Sequence, residues 1–225
     1  MWEIRPYVLR CTGDPMSDPW EELGPMRAAD GDPFSFRAFS LDATVFVHRG
    51  ERYMVWAEKV GVGKQISNLY IARMASPAKL ATVQVLLTTP DYGWERGDFW
   101  VNEGPAVLQR DGKVFLTFSA NTTGELYCMG MLWAEEGADL LDPANWTKLR
   151  RPVLQSDDAK EMHGPGHNCF VKDEDGVTDL CVFHARQYDK MEGNPLYDPN
   201  RHVYLMPLTY DGDGFPQFRY APQEW

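Results

Sequence analysis

Glu103-Gly-Pro-Ala-Val-Leu-Gln-Arg-Asp-Gly112, running into Lys113-Val-Phe-Leu-Thr-Phe-Ser119, is the stretch whose reading decides the fold. A short apolar strand, a polar turn ending in glycine and a second strand rich in β-branched and aromatic residues make a hairpin. The pattern occurs twice more, at Asp42–Gly50 running into Glu51–Ala57 and at His167–Gly176 running into Asp179–Ala185. The three starts, at 42, 103 and 167, lie 61 and 64 residues apart. A third strand is expected in each unit, over Asn68–Met74, Leu126–Trp133 and His202–Leu208. A fourth is expected over Val83–Leu87 and Arg151–Leu154 in the first two units. The turn Leu141-Asp-Pro-Ala-Asn-Trp146 is echoed at Ser17-Asp-Pro-Trp20, and Ile4–Arg10 upstream reads as another third strand. No convincing helix of ten or more residues appears.

Four strands per sixty-odd residues, repeated, predict an all-β fold of the β-propeller type. A two-sheet sandwich is the alternative, but it would not require its units to resemble one another. The expected organisation is a single partial propeller over 1–225, with blade pieces at approximately 1–38, 39–99, 100–163 and 164–225. That is about three and a half blades.

The chain of 225 residues carries 22 Lys and Arg against 33 Asp and Glu, a formal charge of −11. Such a surface repels phosphate backbones and anionic lipid, which argues against nucleic-acid and membrane-surface partners. No apolar run approaches the roughly 20 residues of a membrane span. The start, Met-Trp-Glu-Ile-Arg-Pro, lacks the features of a signal peptide, which leaves a cytoplasmic location or one set by sequence upstream. The four cysteines, Cys11, Cys128, Cys169 and Cys181, show no metal-ligand spacing and read as free thiols of a reducing compartment. Cys169 and Cys181 flank the turn near Asp175 and are the pair expected to face each other across a hairpin.

In a propeller the first strand of each blade lines the axis, so equivalent positions on those strands converge. Those positions hold Asp42, Glu103 and His167. Two carboxylates and an imidazole in a funnel suit hydrolysis of a glycosidic bond, in which one protonated acid donates to the leaving oxygen. Glu103 begins an apolar strand beside Gly104 and Pro105, where burial and the Asp42 charge would raise its pKa, so it is the acid candidate. Trp56, Trp94, Trp100 and Tyr188 offer apolar faces to a sugar ring, although packing is the commoner use of such residues. A non-catalytic sugar-binding propeller is the competing reading.

Four segments in order carry a resemblance: Ser40-Leu-Asp-Ala-Thr-Val-Phe46; Val101-Asn-Glu-Gly-Pro105; Gly164-Pro-Gly-His-Asn168 with Phe183-His-Ala-Arg186; and Tyr197-Asp-Pro-Asn-Arg-His202. Together they resemble glycoside hydrolase family 43, closest to its α-L-arabinofuranosidase branch. The resemblance implies a five-bladed propeller acting with inversion on arabinose- or xylose-containing plant polysaccharides, with no required cofactor. β-Xylosidase and endo-arabinanase specificities are alternatives within the family. It implies that Glu103 is the general acid and that Asp42 orients and tunes it. His167 is implied to lie beside substrate and beside a central calcium or sodium ion held through water. Arg186 is implied to contact substrate, and Tyr127 and Cys128 to be structural; Trp100 is expected to bind substrate from its own apolar face.

The family's general base is an aspartate in an Asp-Pro context near the N-terminus. Asp14-Pro15 and Asp18-Pro19 carry the dipeptide, but neither is followed by a strand and a glycine hairpin. They match instead the turn between third and fourth strands. The chain is therefore expected to begin midway through a blade and to have weak or absent turnover. Its uncovered blade faces are expected to be hidden by self-association.

Overall fold

The computed structural model describes residues 4–60 and 66–221. β1 (Tyr7–Arg10) and β2 (Glu21–Pro25) form a two-stranded antiparallel piece. β3 (Ser40–His48), β4 (Glu51–Val60) and β5 (Ile66–Ser76) follow as an antiparallel unit, with the short β6 (Lys79–Leu80) and β7 (Val85–Thr88) both on β5. The next unit is β8 (Trp100–Arg110), β9 (Lys113–Ala120), β10 (Cys128–Glu135) and β11 (Thr147–Lys148). β12 (His163–Lys172), β13 (Asp179–Arg186) and β14 (His202–Pro207) make a third. A small hairpin of β15 (Thr209–Tyr210) and β16 (Pro216–Gln217) closes the order. Helix among the described residues is limited to single 3-10 turns. The architecture is an incomplete β-propeller.

The hairpin turns work as the sequence implies. Arg49 and Gly50 have φ of 49° and 81°, and Asp111 and Gly112 have 48° and 77°. Two successive left-handed residues are what a two-residue turn needs to match strand twist. The third strand of the middle unit starts at Cys128 rather than Leu126, because Tyr127 N–H closes a turn on the Gly124 carbonyl. Arg151–Leu154 is not a regular fourth strand. β11 pairs with β10 instead, and the chain then runs alongside, with Leu149 and Val153 N–H donating to the Met131 and Met129 carbonyls. Pro152 has no N–H to donate, which breaks the ladder.

The Asp-Pro echo is also displaced. Asp142 accepts the Ala144 amide at 3.0 Å, and the matching turn is Asp14 accepting the Met16 amide at 2.9 Å. Asp18 folds back on the Asp14 amide at 2.7 Å. The cysteine expectation is corrected as well. Cys169 pairs with Val182 and Phe170 with Cys181, so successive residues send the two thiols to opposite faces. Cys169 is exposed, Cys181 is buried, and both are free.

The core lies between units. Val55, Leu69, Ile71, Leu116, Phe118 and Leu132 fill the space between β4–β5 and β9–β10. Phe115, Met129, Met131, Cys181, Phe183 and Met206 fill the next layer. β9 thus sends Leu116 and Phe118 one way and Phe115 the other, the period of two that a strand buried on both faces requires. Each such side chain contributes about 1.5–3 kcal/mol of transfer free energy. Trp56 belongs to this packing: it is fully buried, tilted against Phe36 at 4.9 Å, and donates Nε1–H to Glu58 at 3.0 Å. Trp94 stacks on Phe118 at 6.1 Å and donates to the Arg150 carbonyl at 3.1 Å. Neither is a sugar platform. β8 packs against both β3 and β12, which places the starts of the three inner strands together.

Candidate active site

The same irregularity recurs on each inner strand. Leu41 pairs with Ala57 and Thr44 with Val55, so three steps on β3 oppose two on β4. Glu103 and Ala106 oppose Ser119 and Thr117 in the same way, and Gly166 and Cys169 oppose His184 and Val182. Each is a β-bulge, a device that re-aims side chains beside functional sites. The residue after the first pair is left-handed in all three, with φ of 54° at Asp42, 55° at Gly104 and 49° at His167.

The structurally equivalent set is therefore Asp42, Gly104 and His167, and the expected equivalence of Glu103 with the other two is off by one. Glu103 corresponds to Leu41 and Gly166. The convergence is real nonetheless. Ligand-capable atoms of Asp42, Glu103 and His167 all lie within 4.8 Å of one another.

Glycine at 104 serves this meeting twice. Its amide donates to Asp42 Oδ2 at 3.1 Å, and a Cβ there would stand 3.1 Å from His167 Nδ1. Asp42 Oδ1 lies 4.0 Å from His167 Nε2, with the aspartate side chain 16% exposed and the imidazole 46%. Burial pushes the Glu103 carboxyl above its usual range, and the Asp42 charge adds to the rise. The Tyr127 hydroxyl, His167 and Lys59 act in the opposite sense. Asp42 is also raised by burial, against the pull of His167, the Gly104 amide and Lys59.

Tyr127, expected to be structural, lies at the site. It is fully buried and its hydroxyl donates to Glu103 Oε1 at 2.8 Å. Ser119, opposite Glu103 in the β8–β9 ladder, sits beside the Tyr127 hydroxyl and accepts the His167 amide at 2.6 Å. His184 stacks flat on the Tyr127 ring, centroids 5.7 Å apart and planes 4° from parallel. Burial holds its imidazole down to about 4, so it is neutral at ordinary pH. Counting outward from the Asp111–Gly112 turn pairs Glu103 with Ala120, and only the bulge moves its partner to Ser119. Tyr127 left no signal either.

Arg186 and Trp100 are held by contacts of their own. Arg186 is fully buried, and its Nη atoms donate to the Thr123 carbonyl at 3.0 Å and the Pro195 carbonyl at 2.8 Å. Its guanidinium braces two loops rather than offering a free fork to a ligand. Trp100 is partly buried with the Arg96 guanidinium 4.4 Å over its ring. Tyr188 donates to Asp198 at 2.8 Å and lines an open depression with Asn194, Tyr197 and Asp198.

The cluster is a poor protein-built cation site. A calcium ion takes about 6–8 oxygen ligands, whereas Asp42 and Glu103 each already accept a hydrogen bond from the protein and His167 offers only nitrogen.

A buried carboxyl raised by burial and by a neighbouring carboxylate, beside an imidazole where the inner strands meet, is an arrangement suited to hydrolysis of a glycosidic bond. The sequence profile described as Glycosyl hydrolases family 43 matches residues 2–216, and the chain belongs to that family. The extracellular exo-alpha-(1->5)-L-arabinofuranosidase of Streptomyces avermitilis is 42% identical over 219 residues, covering 97% of this chain and 44% of the relative. Alpha-L-arabinofuranosidase 43 of Humicola insolens is 42% identical, with 96% and 44% covered. The crystal structure of the α-L-arabinofuranosidase from Lactobacillus brevis superposes with a TM-score of 0.92 at 47% identity, over 100% of this chain and 69% of that one. The chain spans 44% of the length of these two curated relatives.

Proposed function

We propose that this chain is the acid-bearing part of an α-L-arabinofuranosidase that hydrolyses arabinose-containing glycosides with inversion. The observation that carries the reading is the Asp42–Glu103 pair, within 4.8 Å, with both carboxyls pushed above their usual range. The names of the arabinofuranosidase relatives support the sugar. Glu103, protonated, donates to the glycosidic oxygen as the bond to the anomeric carbon breaks. An inverting acid and base stand roughly 6.5–9.5 Å apart to admit a water. Asp42 is too close to Glu103 for that, which supports it as the group that orients and tunes the acid. His167, the most exposed of the three, faces the substrate. An ion held through water beside His167 is part of this reading, in a supporting role only. Arg186 acts by bracing loops around the site.

Asp14 and Asp18 are exposed and tied to each other, so neither is available as a base. A glycosidase acting without such a base would lose roughly 10²–10⁴ in turnover. This favours, as the second reading, a chain that binds arabinosyl sugars with little hydrolysis. Val45 and Val47 on β3 and Val171 on β12 are exposed, whereas β8 between those strands is largely buried. That contrast supports a further polypeptide, such as a second copy, covering the open side. The word extracellular in the names of the Streptomyces relatives supports action outside the cell rather than in the cytoplasm.

The deciding experiment is an aryl α-L-arabinofuranoside assay with the chain and with Glu103→Gln, alongside calorimetric titration with arabinose oligomers. Turnover lost in Glu103→Gln supports the enzyme. Binding without product supports the second reading, and neither signal overturns both.

A further inference from the structure

We propose that Tyr127 is a positioning residue for Glu103: its hydroxyl holds one carboxyl oxygen in place, and Ser119, Gly166 and His184 lock the phenol that does so. The proposal rests on Glu103 being the proton donor. Four contacts from four parts of the chain meet on this one ring. The hydroxyl donates to Glu103 Oε1 at 2.8 Å, and Ser119, whose Oγ accepts the His167 amide at 2.6 Å, sits beside it. Residues of β12, β9 and β8 thus meet around the phenol.

One face of the ring is covered by His184, parallel at 5.7 Å. A Cβ at residue 166 would lie 2.3 Å from Tyr127 Cε1, so only glycine admits the ring there. The ring nitrogens of His184 are buried and make no hydrogen bond among the described residues. A histidine retained as a neutral stacking surface, at the cost of two unmet polar atoms, marks the ring position as demanding.

A carboxyl on a three-bond stem beside a second carboxylate would otherwise swing away from it. Preorganisation of a donor to within a fraction of an ångström is what a proton transfer to a bound glycosidic oxygen needs. The charged and titratable groups facing this pair are Asp42 from β3, Lys59 from β4 and His167 from β12, with His184 beside the phenol on β13. Because the phenol donates to Glu103, it favours the ionised carboxyl and keeps the combined effect of burial and Asp42 from holding the proton too tightly.

The test uses the full chain labelled with [δ-13C]glutamate, the Glu103 signal being identified by its loss in Glu103→Gln. In Tyr127→Phe the Glu103 titration midpoint is expected to rise by roughly 0.5–1 pH unit, the effect of losing one hydrogen bond. With 3-fluorotyrosine at 127, a stronger donor of almost the same shape, the midpoint is expected to fall. Opposite shifts from two near-isosteric changes are not produced by a merely structural ring. A midpoint unmoved by either change overturns the proposal, and should Tyr127→Phe not fold, the fluorotyrosine arm decides alone. The titration needs no turnover. A shifting midpoint in a chain whose hydrolysis survives Glu103→Gln would remove Glu103 as the acid without removing the Tyr127 contact.

Discussion

Asp42 Oδ2 accepts the backbone amide of Gly104 at 3.1 Å, so the second carboxylate of the site is held by the peptide unit that follows the first. Asp42 and Glu103 are therefore coupled through one residue of β8 as well as through space. The left-handed conformation of Gly104 directs that amide, and its lack of a Cβ leaves room for His167.

Stability should depend on pH with a definite sign. Glu103 and Asp42 are both raised in the folded chain, so they bind protons more tightly there than when unfolded. Their contribution is fully present below the unfolded carboxylate values of roughly 4 and is lost as pH rises through the folded values. Thermal melts from pH 4 to pH 8 should show this decline in the wild-type chain and a flatter profile in Glu103→Gln. Equal slopes in the two would contradict the assignment of the raised carboxyl.

Asp42→Asn removes the negative charge that adds to the rise at Glu103 while keeping an acceptor for Gly104. The Glu103 midpoint should fall by about one unit or more, given an interaction over so short a distance. Carbon-13 titration of Glu103 reads it directly, and a midpoint that stayed or rose would show that burial alone governs the acid.

Gly104→Ala places a side chain in a left-handed conformation against His167 Nδ1 at 3.1 Å. The strain costs about 1–2 kcal/mol, visible as a lower urea midpoint at unchanged m-value. Because the Asp42 hydrogen bond originates at the same residue, sugar binding should weaken along with stability. A variant as stable as wild type would mean that the bulge relaxes without loss.

Arg186→Ala frees the Thr123 and Pro195 carbonyls that the guanidinium now satisfies. Unmet buried acceptors cost about 1–3 kcal/mol each. The expected signature is faster proteolytic cleavage within residues 187–201, mapped by mass spectrometry. Loss of sugar affinity with an unchanged cleavage pattern would return Arg186 to direct substrate contact.

Thiol reactivity separates the two hairpin cysteines. Cys169 is exposed, whereas Cys181 and Cys128 are buried with their thiols pushed up to about 12. A neutral-pH thiol reagent should modify Cys169 promptly and leave Cys128 and Cys181 until unfolding. Prompt modification of Cys181 would show that the β12–β13 sheet opens readily.

The hairpins, the sixty-residue spacing and the nearness of Asp42, Glu103 and His167 were legible in the sequence. Each rests on local pattern: alternating apolar residues, left-handed turns at Arg49–Gly50 and Asp111–Gly112, and a repeat that brings inner strands to one axis. Two things were decided by tertiary structure alone. The first is register. A bulge adds one residue to one strand of a pair, and only cross-strand hydrogen bonds reveal that Gly104, not Glu103, is the counterpart of Asp42 and His167. The second is Tyr127, which lies outside the repeated hairpin and precedes its strand. Gly166 and His184, from a different unit, stand against its ring, and a Cβ at 166 would exclude it. Local propensity carries the strands, but the surroundings of the Tyr127 ring are set by how two units pack.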